Sequence, residues 1–525
     1  MNEFWEKVII AALSAIIASV IGLLINMAIQ QRTREKVWEK VKKLLNDVLA
    51  FFDIPRRIVA RRLNSKDFLE WQDNMLMKIY QKDHFTTLLG RSYPVCSLNI
   101  KKTYGYKKAD SLCHDNNGYP FLNRTDINME DIYDTEIMNN FVDKEEEILM
   151  KKELMGNGWG WNGYKWFTKR SMRDGNHIGY TLDKLDFEGK DISKIHLSLG
   201  DYKLNLLTSH IMTFEFFKAY EIFKTEAKEK YDDRVERKNY LNSIKPEDLW
   251  PQLPFRRYIH KVNGDVINNV LFNGKGRYSL LSVQCLVMLC STSESENLEY
   301  KTFFGKRSNS TRKVSTKLGC YQFPPSGGFD LYDGKDIDST IVRENCSLKW
   351  SLMREYLEEI FNDKKFAKVD RNNLEENTAM IATVAGDPRT TRIVNMLDET
   401  INDTRFKEGT KKAYFTTVGA NVDLIDLRLS VNYLLVINDY QYYLDGIRGN
   451  REDDDTRNYK FAYNEEVTVE NKMLRSCEAV EKDLAGKRNI VEDSVALYVQ
   501  GKSAFRKYLN EVVKAKNCIA QICND

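Results

Sequence analysis

Histidine and regularly spaced cysteine are scarce in this chain of 525 residues. Its 6 histidines are dispersed, and none stands in a motif with a serine or cysteine nucleophile. The 9 cysteines form no CxxC pair, and no pair of histidines accompanies them. A zinc site with the usual ligand spacing is therefore not expected, and the histidines are predicted to be structural.

An excess of one charge is also missing, and so are repeated long apolar runs. The 79 basic and 76 acidic residues leave a net charge of +3, which gives no argument for a direct nucleic-acid partner. Only one stretch of the chain is long enough and free enough of charge to cross a bilayer. A single membrane span is therefore expected.

That stretch, residues 8–29, contains no charged side chain, and a helix needs about 20 apolar residues to span the hydrocarbon core. Gln30, Gln31 and Arg32 follow it directly, without the small-residue site at which a secretory signal is cleaved. Basic residues are concentrated after the span, which predicts that the C-terminal bulk lies in the cytosol. Cysteines in that compartment stay reduced.

Small residues follow one face of this predicted membrane helix. Ala11, Ala15, Ala18 and Gly22 recur at steps of four and three, a spacing that lets helix backbones approach closely. Such a seam suits a homo-oligomer held together through the membrane helix. The alternative is that alanine and glycine are simply common in membrane helices, and both interpretations stay open.

The chain after the span divides into three predicted regions. Residues 30–62 place apolar residues at helical spacing among lysines, which predicts an amphipathic juxtamembrane helix. Residues 63–250 are predicted to form an α+β middle domain that transmits a signal or oligomerises. This region ends with a helical pattern over residues 206–242 and a proline-containing connector at 249–254.

The third region, residues 251–525, is predicted to be an α/β or α+β domain. Buried runs and alternating patterns predict strands, and a helical period predicts a helix at the end of the chain. The predicted strands are 280–290, 300–307, 413–417 and 431–437, and the predicted final helix is 489–517.

Three glutamates share one side of a predicted helix in this region. Glu355, Glu358 and Glu359 are neighbours at helical spacing. Like charges this close repel unless a cation offsets them, and magnesium, which prefers oxygen ligands, would do so while holding phosphate oxygens. An ordinary solvated glutamate-rich helix is the alternative. The predicted apolar face of the helix consists of Leu352, Met353, Tyr356, Leu357 and Ile360.

Two glycines stand upstream of the glutamates, after a strand-like stretch at 320–323. Gly327 and Gly328 follow two prolines and a serine, and glycine lets the backbone turn closely against a bound phosphate or metal. The combined pattern resembles the Nudix family, whose box joins a glycine to a helix of sequence REUXEEXGU, where U is apolar. The resemblance covers about residues 270–515 and implies a mixed sheet with flanking helices.

The resemblance assigns roles to the residues that match the box. Gly328 matches the box glycine, and Arg354 matches the arginine that holds the helix glutamates. Glu355, Glu358 and Glu359 match the glutamates that coordinate magnesium and catalyse hydrolysis in the family. These residues are therefore the predicted catalytic and metal-binding set.

Two departures from the family pattern lie on either side of the box helix. The loop before Arg354 is longer than the family's spacing, and Glu344 is the predicted substitute for the first box glutamate. Phe361 stands where the family has glycine. Both departures disfavour hydrolysis, because metal and water must be placed within narrow limits for phosphoanhydride attack.

The resemblance also implies a set of ligand contacts around the box. Lys306 and Arg307 resemble the basic end of a Nudix strand, and cations near an acidic site suit a polyphosphate ligand. Phe323, Gly327 and Gly328 complete the predicted ligand-binding residues. Arg312, Lys313 and Lys317 lie in the next loop and add to the cations near the acidic site, and the alternative for each of them is an ordinary surface charge.

The first functional hypothesis is a membrane-anchored nucleotide sensor and effector. The order of its regions resembles the transmembrane-Nudix effectors of the bacterial anti-phage systems called CBASS. This resemblance implies a protein of the bacterial inner membrane that binds a cyclic oligonucleotide or other nucleotide and then disrupts the bilayer, and the one long apolar run predicts that this chain crosses the membrane once. A ligand that binds the oligomeric state more tightly would shift the population toward it.

The alternative hypothesis is a magnesium-dependent Nudix hydrolase that cleaves a nucleoside diphosphate derivative at the inner membrane. Glu355, Glu358 and Glu359 would hold the ion, and one of them or Glu344 would act as base. A third hypothesis is a tethered scaffold that binds no nucleotide. The three glutamates favour the enzyme, whereas the membrane anchor favours the sensor.

Overall fold

The computed structural model describes residues 62–100, 113–114, 120–121, 178–307, 317, 319–330, 347–367, 380–449, 459–462, 473–487 and 489–514. The predicted membrane helix, nearly all of the predicted juxtamembrane helix, and Glu344 lie outside these residues. Among the helices in the described ranges, none has the length and apolar character needed to cross a bilayer. The described residues all belong to the compact unit Val59–Asp525.

A large mixed sheet organises the described residues. In chain order the strands are β1 (Thr86–Leu88), β2 (Arg91–Tyr93), β3 (Val95–Ile100), β4 (Cys113–His114), β5 (Pro120–Phe121), β6 (Ile178–Glu188), β7 (Asp191–Asp201), β8 (Ser282–Cys290), β9 (Tyr300–Phe303), β10 (Gly305–Lys306), β11 (Tyr321–Gln322), β12 (Ser326–Gly328), β13 (Ala413–Asp423), β14 (Leu429–Ile437) and β15 (Leu474–Ser476). Nine of them form one sheet in the order β15-β9-β8-β14-β13-β3-β7-β6, with β12 also paired to β8. The pairs β8–β14 and β3–β7 are parallel, and the others are antiparallel.

Helices pack around this sheet. They are α1 (Lys66–Tyr80), α2 (Tyr202–Asn205), α3 (Ile211–Lys230), α4 (Arg234–Ser243), α5 (Pro246–Leu249), α6 (Pro254–Val262), α7 (Ile267–Phe272), α8 (Leu348–Glu355), α9 (Lys364–Ala367), α10 (Met380–Gly386), α11 (Pro388–Asp398), α12 (Tyr440–Arg448), α13 (Cys477–Gly486) and α14 (Glu492–Val512). The mixed sheet with flanking helices confirms the α/β class predicted for the C-terminal half.

Strand β8 is covered by apolar groups on both of its faces. Val283 and Cys285 point into a core shared with α1, α3 and α8, whereas Leu286 and Met288 point into a second core shared with α13 and α14. Every residue of the strand is buried. A strand buried on two sides has no exposed polar face to alternate with, which explains why the sequence of β8 is mostly apolar, with Ser282 and Gln284 as its polar residues.

The helical pattern predicted over residues 206–242 is broken in the structure. Helix α3 ends at Lys230, Tyr231 is extended, and α4 begins after Asp233. The Asp233 carboxylate accepts hydrogen bonds from the backbone N–H groups of Val235 (2.6 Å) and Glu236 (3.0 Å). An aspartate that satisfies the first donors of a helix starts a new helix at that point, so one continuous helix was the wrong prediction.

Strands from both sides of residue 250 share the sheet. Strand β3 pairs with β13 on one edge and with β7 on the other. Strand β6 also bridges back to the residues beside β8, with Thr181 opposite Leu280 and Gly179 opposite Asp330. The predicted boundary near residue 250 therefore does not coincide with a break in the sheet.

A ladder of buried amides crosses the centre of the sheet. Gln284 on β8 lies opposite Asn432 on β14, and its Nε2 donates to the Asn432 Oδ1 at 2.7 Å. Asn432 donates in turn to the Oδ1 of Asn421 on β13 (2.9 Å) and to the Oε1 of Gln500 on α14 (2.7 Å). Gln500 then donates to the backbone carbonyls of β3 and β13. We call these four residues the amide ladder.

Candidate functional site

The predicted glutamates lie on a helix whose winding changes in the middle. The Ser347 hydroxyl caps α8 by accepting from the Trp350 N–H, and the helix continues after Glu355 as one π turn, Tyr356–Ile360. Single π turns inside α-helices occur frequently at functional sites. The predicted apolar face is buried as expected, with Leu352, Met353, Tyr356, Leu357 and Ile360 all at most 1% exposed.

Arg354 ties two of the glutamates together. Its Nη1 donates to Glu358 Oε2 at 2.8 Å and to the Phe366 carbonyl at 3.0 Å, and its Nη2 pairs with Glu355 Oε1. The guanidinium is 6% exposed, and a buried cation with charged acceptors makes stronger hydrogen bonds than neutral groups do. Arg354 is thus paired with two of the three helix glutamates.

The glycine strand β12 packs against the same helix. The Ser326 N–H donates to Glu359 Oε2 at 2.8 Å, and Gly327 leaves room for the side chain of Glu355, because a Cβ on Gly327 would overlap that carboxyl group. We call the group formed by Ser326–Gly328, Arg354 and the three glutamates the glutamate site. The fold therefore brings the glycine strand β12 into contact with the glutamate helix, from which one loop separates it in the sequence.

Replacing Gly327 with alanine should destabilise the protein by roughly 1–3 kcal/mol, because the added methyl group must push Glu355 and the helix away from β12. Gly328→Ala is the matched control, since the nearest atom to its added Cβ would be Asp330 Oδ1 at 3.2 Å, on a side chain that can move. Urea unfolding of both variants measures the difference. Equal stabilities would show that β12 and the helix are not closely packed.

Burial dominates the acidity of the central glutamate. Desolvation raises the pKa of Glu355 well above its usual range, and Arg354 opposes that shift. The nearby carboxylates Glu358, Glu359 and Asp330 raise the pKa of Glu355 further. The glutamate site is therefore a crowded acidic cluster with one internal cation.

Phe361 marks the end of the glutamate helix. Its ring is 5% exposed and lies 5.7 Å from the ring of Tyr356 and 5.7 Å from that of Phe461. The left-handed residue that commonly ends a helix is here Asn362, with φ of 54°, and asparagine is the usual substitute for glycine at that place. The turn comes one residue after Phe361, so a glycine at 361 is not needed to end this helix.

The predicted ligand contacts outside the helix have different surroundings. Arg307 donates through Nη1 to Gln322 Oε1 at 2.5 Å, and the Ser326 hydroxyl donates to the same oxygen at 3.5 Å. This link brings the basic end of β10, with Lys306, beside the glycine strand. Phe323, in contrast, is 0% exposed and stacks on Tyr498 at 5.3 Å within the second core.

Lys317, interpreted from the sequence as a loop cation for a polyphosphate, is instead buried between protein carboxylates. Its Nζ donates to Asp423 Oδ2 at 2.9 Å and to Glu492 Oε2 at 2.6 Å. Burial alone would lower the pKa of Lys317, but the two carboxylates outweigh it and hold that pKa well above its usual range. We call these three residues the Lys317 triad.

Two further buried contacts lie beside this triad at the β13–β14 turn: one joins an aspartate to the imidazole of His210, whose pKa burial lowers, and the other is an ion pair. The Nδ1 of His210 lies 2.9 Å from Asp426 Oδ2, and the Nη2 of Arg428 lies 2.8 Å from Asp493 Oδ2. The partners come from separate helices and from the turn itself, so sequence spacing carries no sign of them. The only local sign of these contacts in the sequence is the group of charged residues at 423–428, where β13 turns into β14.

Among the described residues, which include Glu355, Glu358 and Glu359, no group of three or more histidine, cysteine, aspartate or glutamate side chains is placed to hold a metal ion. The described free cysteines, at 96, 285, 290, 320 and 477, are buried, and burial raises the pKa of Cys96 and of Cys320 to about 12. Thiols of this kind are not nucleophiles near neutral pH.

Comparison with known proteins adds no relative to this picture. No protein-family model matches the sequence, and no curated protein is significantly similar to it.

Proposed function

We propose that this protein is a membrane-anchored nucleotide sensor and effector, and that the glutamate site belongs to the domain that binds the nucleotide signal. One observation carries the proposal: β12 and the glutamate helix are in direct contact, through Ser326 on Glu359 and Gly327 against Glu355. A glycine strand set against an acidic helix is the arrangement that the Nudix resemblance implies. The basic end of β10, next to it, supplies cations suited to phosphate.

Magnesium belongs to the hydrolase alternative, and the glutamates as placed do not fit it well. Arg354 already pairs with Glu355 and Glu358, and Glu359 already accepts from the Ser326 N–H. An ion held by all three carboxylates would have to displace these partners. We therefore derive no hydrolytic step, and the pairing favours a domain that binds its ligand over one that cleaves it.

The route from this domain toward the predicted anchor supports the effector half of the proposal. Arg62 and Asn64 are among the first described residues after the predicted juxtamembrane helix. Arg62 Nη1 lies 3.6 Å from Glu221 Oε2, and the Cys320 thiol donates to Asn64 Oδ1 at 3.3 Å. Cys320 precedes β11 and the glycine strand, so a ligand that moves this strand would also act on the segment that follows the predicted juxtamembrane helix.

The test is calorimetric titration of the full-length protein, in detergent, with cyclic dinucleotides, cyclic trinucleotides and linear nucleoside diphosphate derivatives. Each titration is run with and without magnesium, and the ligand is recovered for chromatography. We expect one compound to bind and to be recovered intact. We also expect Gly327→Ala to weaken that binding by at least about tenfold, or 1.4 kcal/mol.

Controls separate the alternatives in the same experiment. Glu511→Gln, an exposed change far along α14, should bind like the wild type. Magnesium-dependent conversion that is lost in the double variant Glu358→Gln/Glu359→Gln would replace the sensor with the hydrolase. Absence of binding by every compound would overturn both and leave the scaffold.

A further inference from the structure

A cavity of about 560 Å³ lies beside α11, away from the residues that form the glutamate site. Small-molecule sites in proteins commonly have volumes of roughly 300–1,000 Å³, so this one can hold a ligand of nucleotide size. Secondary-structure elements form most of its wall. The lining residues are Gly386, Pro388, Thr391, Arg392, Asn395, Met396, Glu399, Lys412, Asp439 and Tyr459. We call it the α11 cavity.

Arg392, which lines the α11 cavity, lies close to two tyrosine rings. The guanidinium of Arg392 lies 4.9 Å from the ring centre of Tyr442 and 5.9 Å from that of Tyr459, and its Nη1 is fixed by Asp445 Oδ2 at 2.8 Å. Guanidinium planes and tyrosine rings are surfaces on which nucleobases stack. Asn395, almost one helical turn after Arg392, adds an amide that can both donate to and accept from a base edge.

Lys412, which also lines the cavity, is in a weak ion pair. Lys412 Nζ lies 2.7 Å from Glu399 Oε2 and 3.8 Å from Asp439 Oδ2. The side chains of Lys412 and Glu399 are 32% and 49% exposed, and a pair this exposed is worth only about 0–1 kcal/mol. Lys412 can therefore exchange Glu399 for an anionic group of a ligand at little cost.

Residues beside the lining of the α11 cavity contact the glutamate helix. The Tyr442 hydroxyl, whose ring lies against the lining residue Arg392, is 2.8 Å from the Tyr356 hydroxyl. The Ala462 N–H, three residues after the lining residue Tyr459, donates to the Ile360 carbonyl at 3.0 Å. Both contacts fall on the π turn Tyr356–Ile360, so one residue separates that turn from the cavity at Arg392.

We propose that the α11 cavity is a second binding site, which takes a nucleotide with its base stacked on Tyr459 and Arg392 and its phosphate at Lys412. The proposal rests on the proposed function in that it gives the same domain a second nucleotide. Ligand in the cavity presses on the π turn and so changes affinity at the glutamate site. Linkage makes this effect reciprocal.

The probe is a panel of the four nucleoside 5′-monophosphates, titrated calorimetrically into the full-length protein. We expect at least one to bind, and we expect Tyr459→Ala and Lys412→Met each to weaken it by about tenfold or more. Lys411→Met and Tyr231→Ala are the matched controls, because these side chains do not line the cavity. Melting temperatures of all variants establish that each is folded.

The outcomes separate this site from the glutamate site. If monophosphates still bind both cavity variants but no longer bind Gly327→Ala, the cavity proposal is overturned and the proposed function stands. The same conclusion follows if cyclic or linear diphosphate ligands bind and none of the monophosphates does. Monophosphate binding lost only in the cavity variants supports the second site. The cavity proposal is also overturned if the cavity variants and Gly327→Ala all lose the ligand of the glutamate site while the monophosphates still bind normally.

Discussion

Replacing Lys317 with methionine should lower the free energy of unfolding by about 3–5 kcal/mol, the usual cost of removing one partner of a buried ion pair. The Lys317 side chain is only 10% exposed, and it is the cation between Asp423 and Glu492, which are 0% and 11% exposed. Without it, two buried carboxylates face each other. Methionine keeps the length of the side chain, so the loss measures charge more than volume.

Urea unfolding at pH 7 measures this change, with Lys184→Met as control. Lys184 forms a pair with Asp186 at 3.2 Å, but both side chains are substantially exposed, and such a pair contributes about 1 kcal/mol or less. The Lys317→Met deficit should shrink at low pH, because unpaired buried carboxylates become protonated at raised pKa. A deficit as small as that of the control would refute the buried triad.

Replacing Glu215 with glutamine should make the free energy of unfolding depend less on pH. Between pH 5 and pH 8 the variant should gain roughly 2–4 kcal/mol of stability relative to the wild type. Glu215 is 0% exposed, and burial raises its pKa to about 8. Its Oε2 accepts from the Phe255 N–H at 3.0 Å, and its Oε1 from the Arg256 N–H at 3.3 Å. Glutamine has the size of the protonated acid, and its one carbonyl oxygen can accept one of these two hydrogen bonds; the loss of the other is a constant cost that does not depend on pH.

The sign of this pH effect follows from the difference between the pKa of Glu215 in the folded protein and its ordinary pKa. The pKa of Glu215 in the folded protein, about 8 against 4.5 as the ordinary value, is raised. The stability that protonated Glu215 contributes is fully present at pH values below its pKa in the unfolded chain. It is lost as the pH rises through its pKa in the folded protein. Wild type should therefore lose stability across this interval relative to the variant. Urea unfolding at pH 5, 6.5 and 8 tests this, with exposed Glu229→Gln as control, and parallel wild-type and Glu215→Gln curves would contradict it.

Much of the C-terminal fold is visible in the sequence because it follows from local patterns. Strand β8 is an apolar run since both of its faces are buried, and α14 keeps a helical period over most of its length. The break after α3 also left a local signal. Asp233 is followed three residues later by Glu236, an acidic capping pattern, but the dense charge around it was interpreted as one solvated helix.

The Lys317 triad had no such signal. Asp423 and Glu492 stand 106 and 175 residues after the lysine, and only the folded chain brings them together. A lysine in a turn-rich loop has the same local sequence whether it faces solvent, a phosphate or two carboxylates. Burial of a charge is a tertiary property, and for that reason local spacing assigned Lys317 to a ligand.

The glutamate site lies between these two cases. The residue types of Arg354 and the three glutamates came from a motif, and their contacts with β12 depend on the fold. The sequence did not reveal which two of the three carboxylates Arg354 occupies, or that Asn362 takes the left-handed position beyond Phe361. Both facts concern side-chain and backbone geometry rather than composition.

The amide ladder has a consequence for how this chain finds its strand order. Parallel strands β8 and β14 come from segments 148 residues apart, a separation spanned by the hydrogen bond between Gln284 and Asn432. Sliding one strand by a single residue would turn its side chains to the opposite face, and these amides would then be buried without partners at a cost of about 1–3 kcal/mol each. Apolar contacts alone tolerate such slippage, whereas the amide ladder makes it unfavourable. These four polar side chains therefore select the native register of the strands over shifted ones.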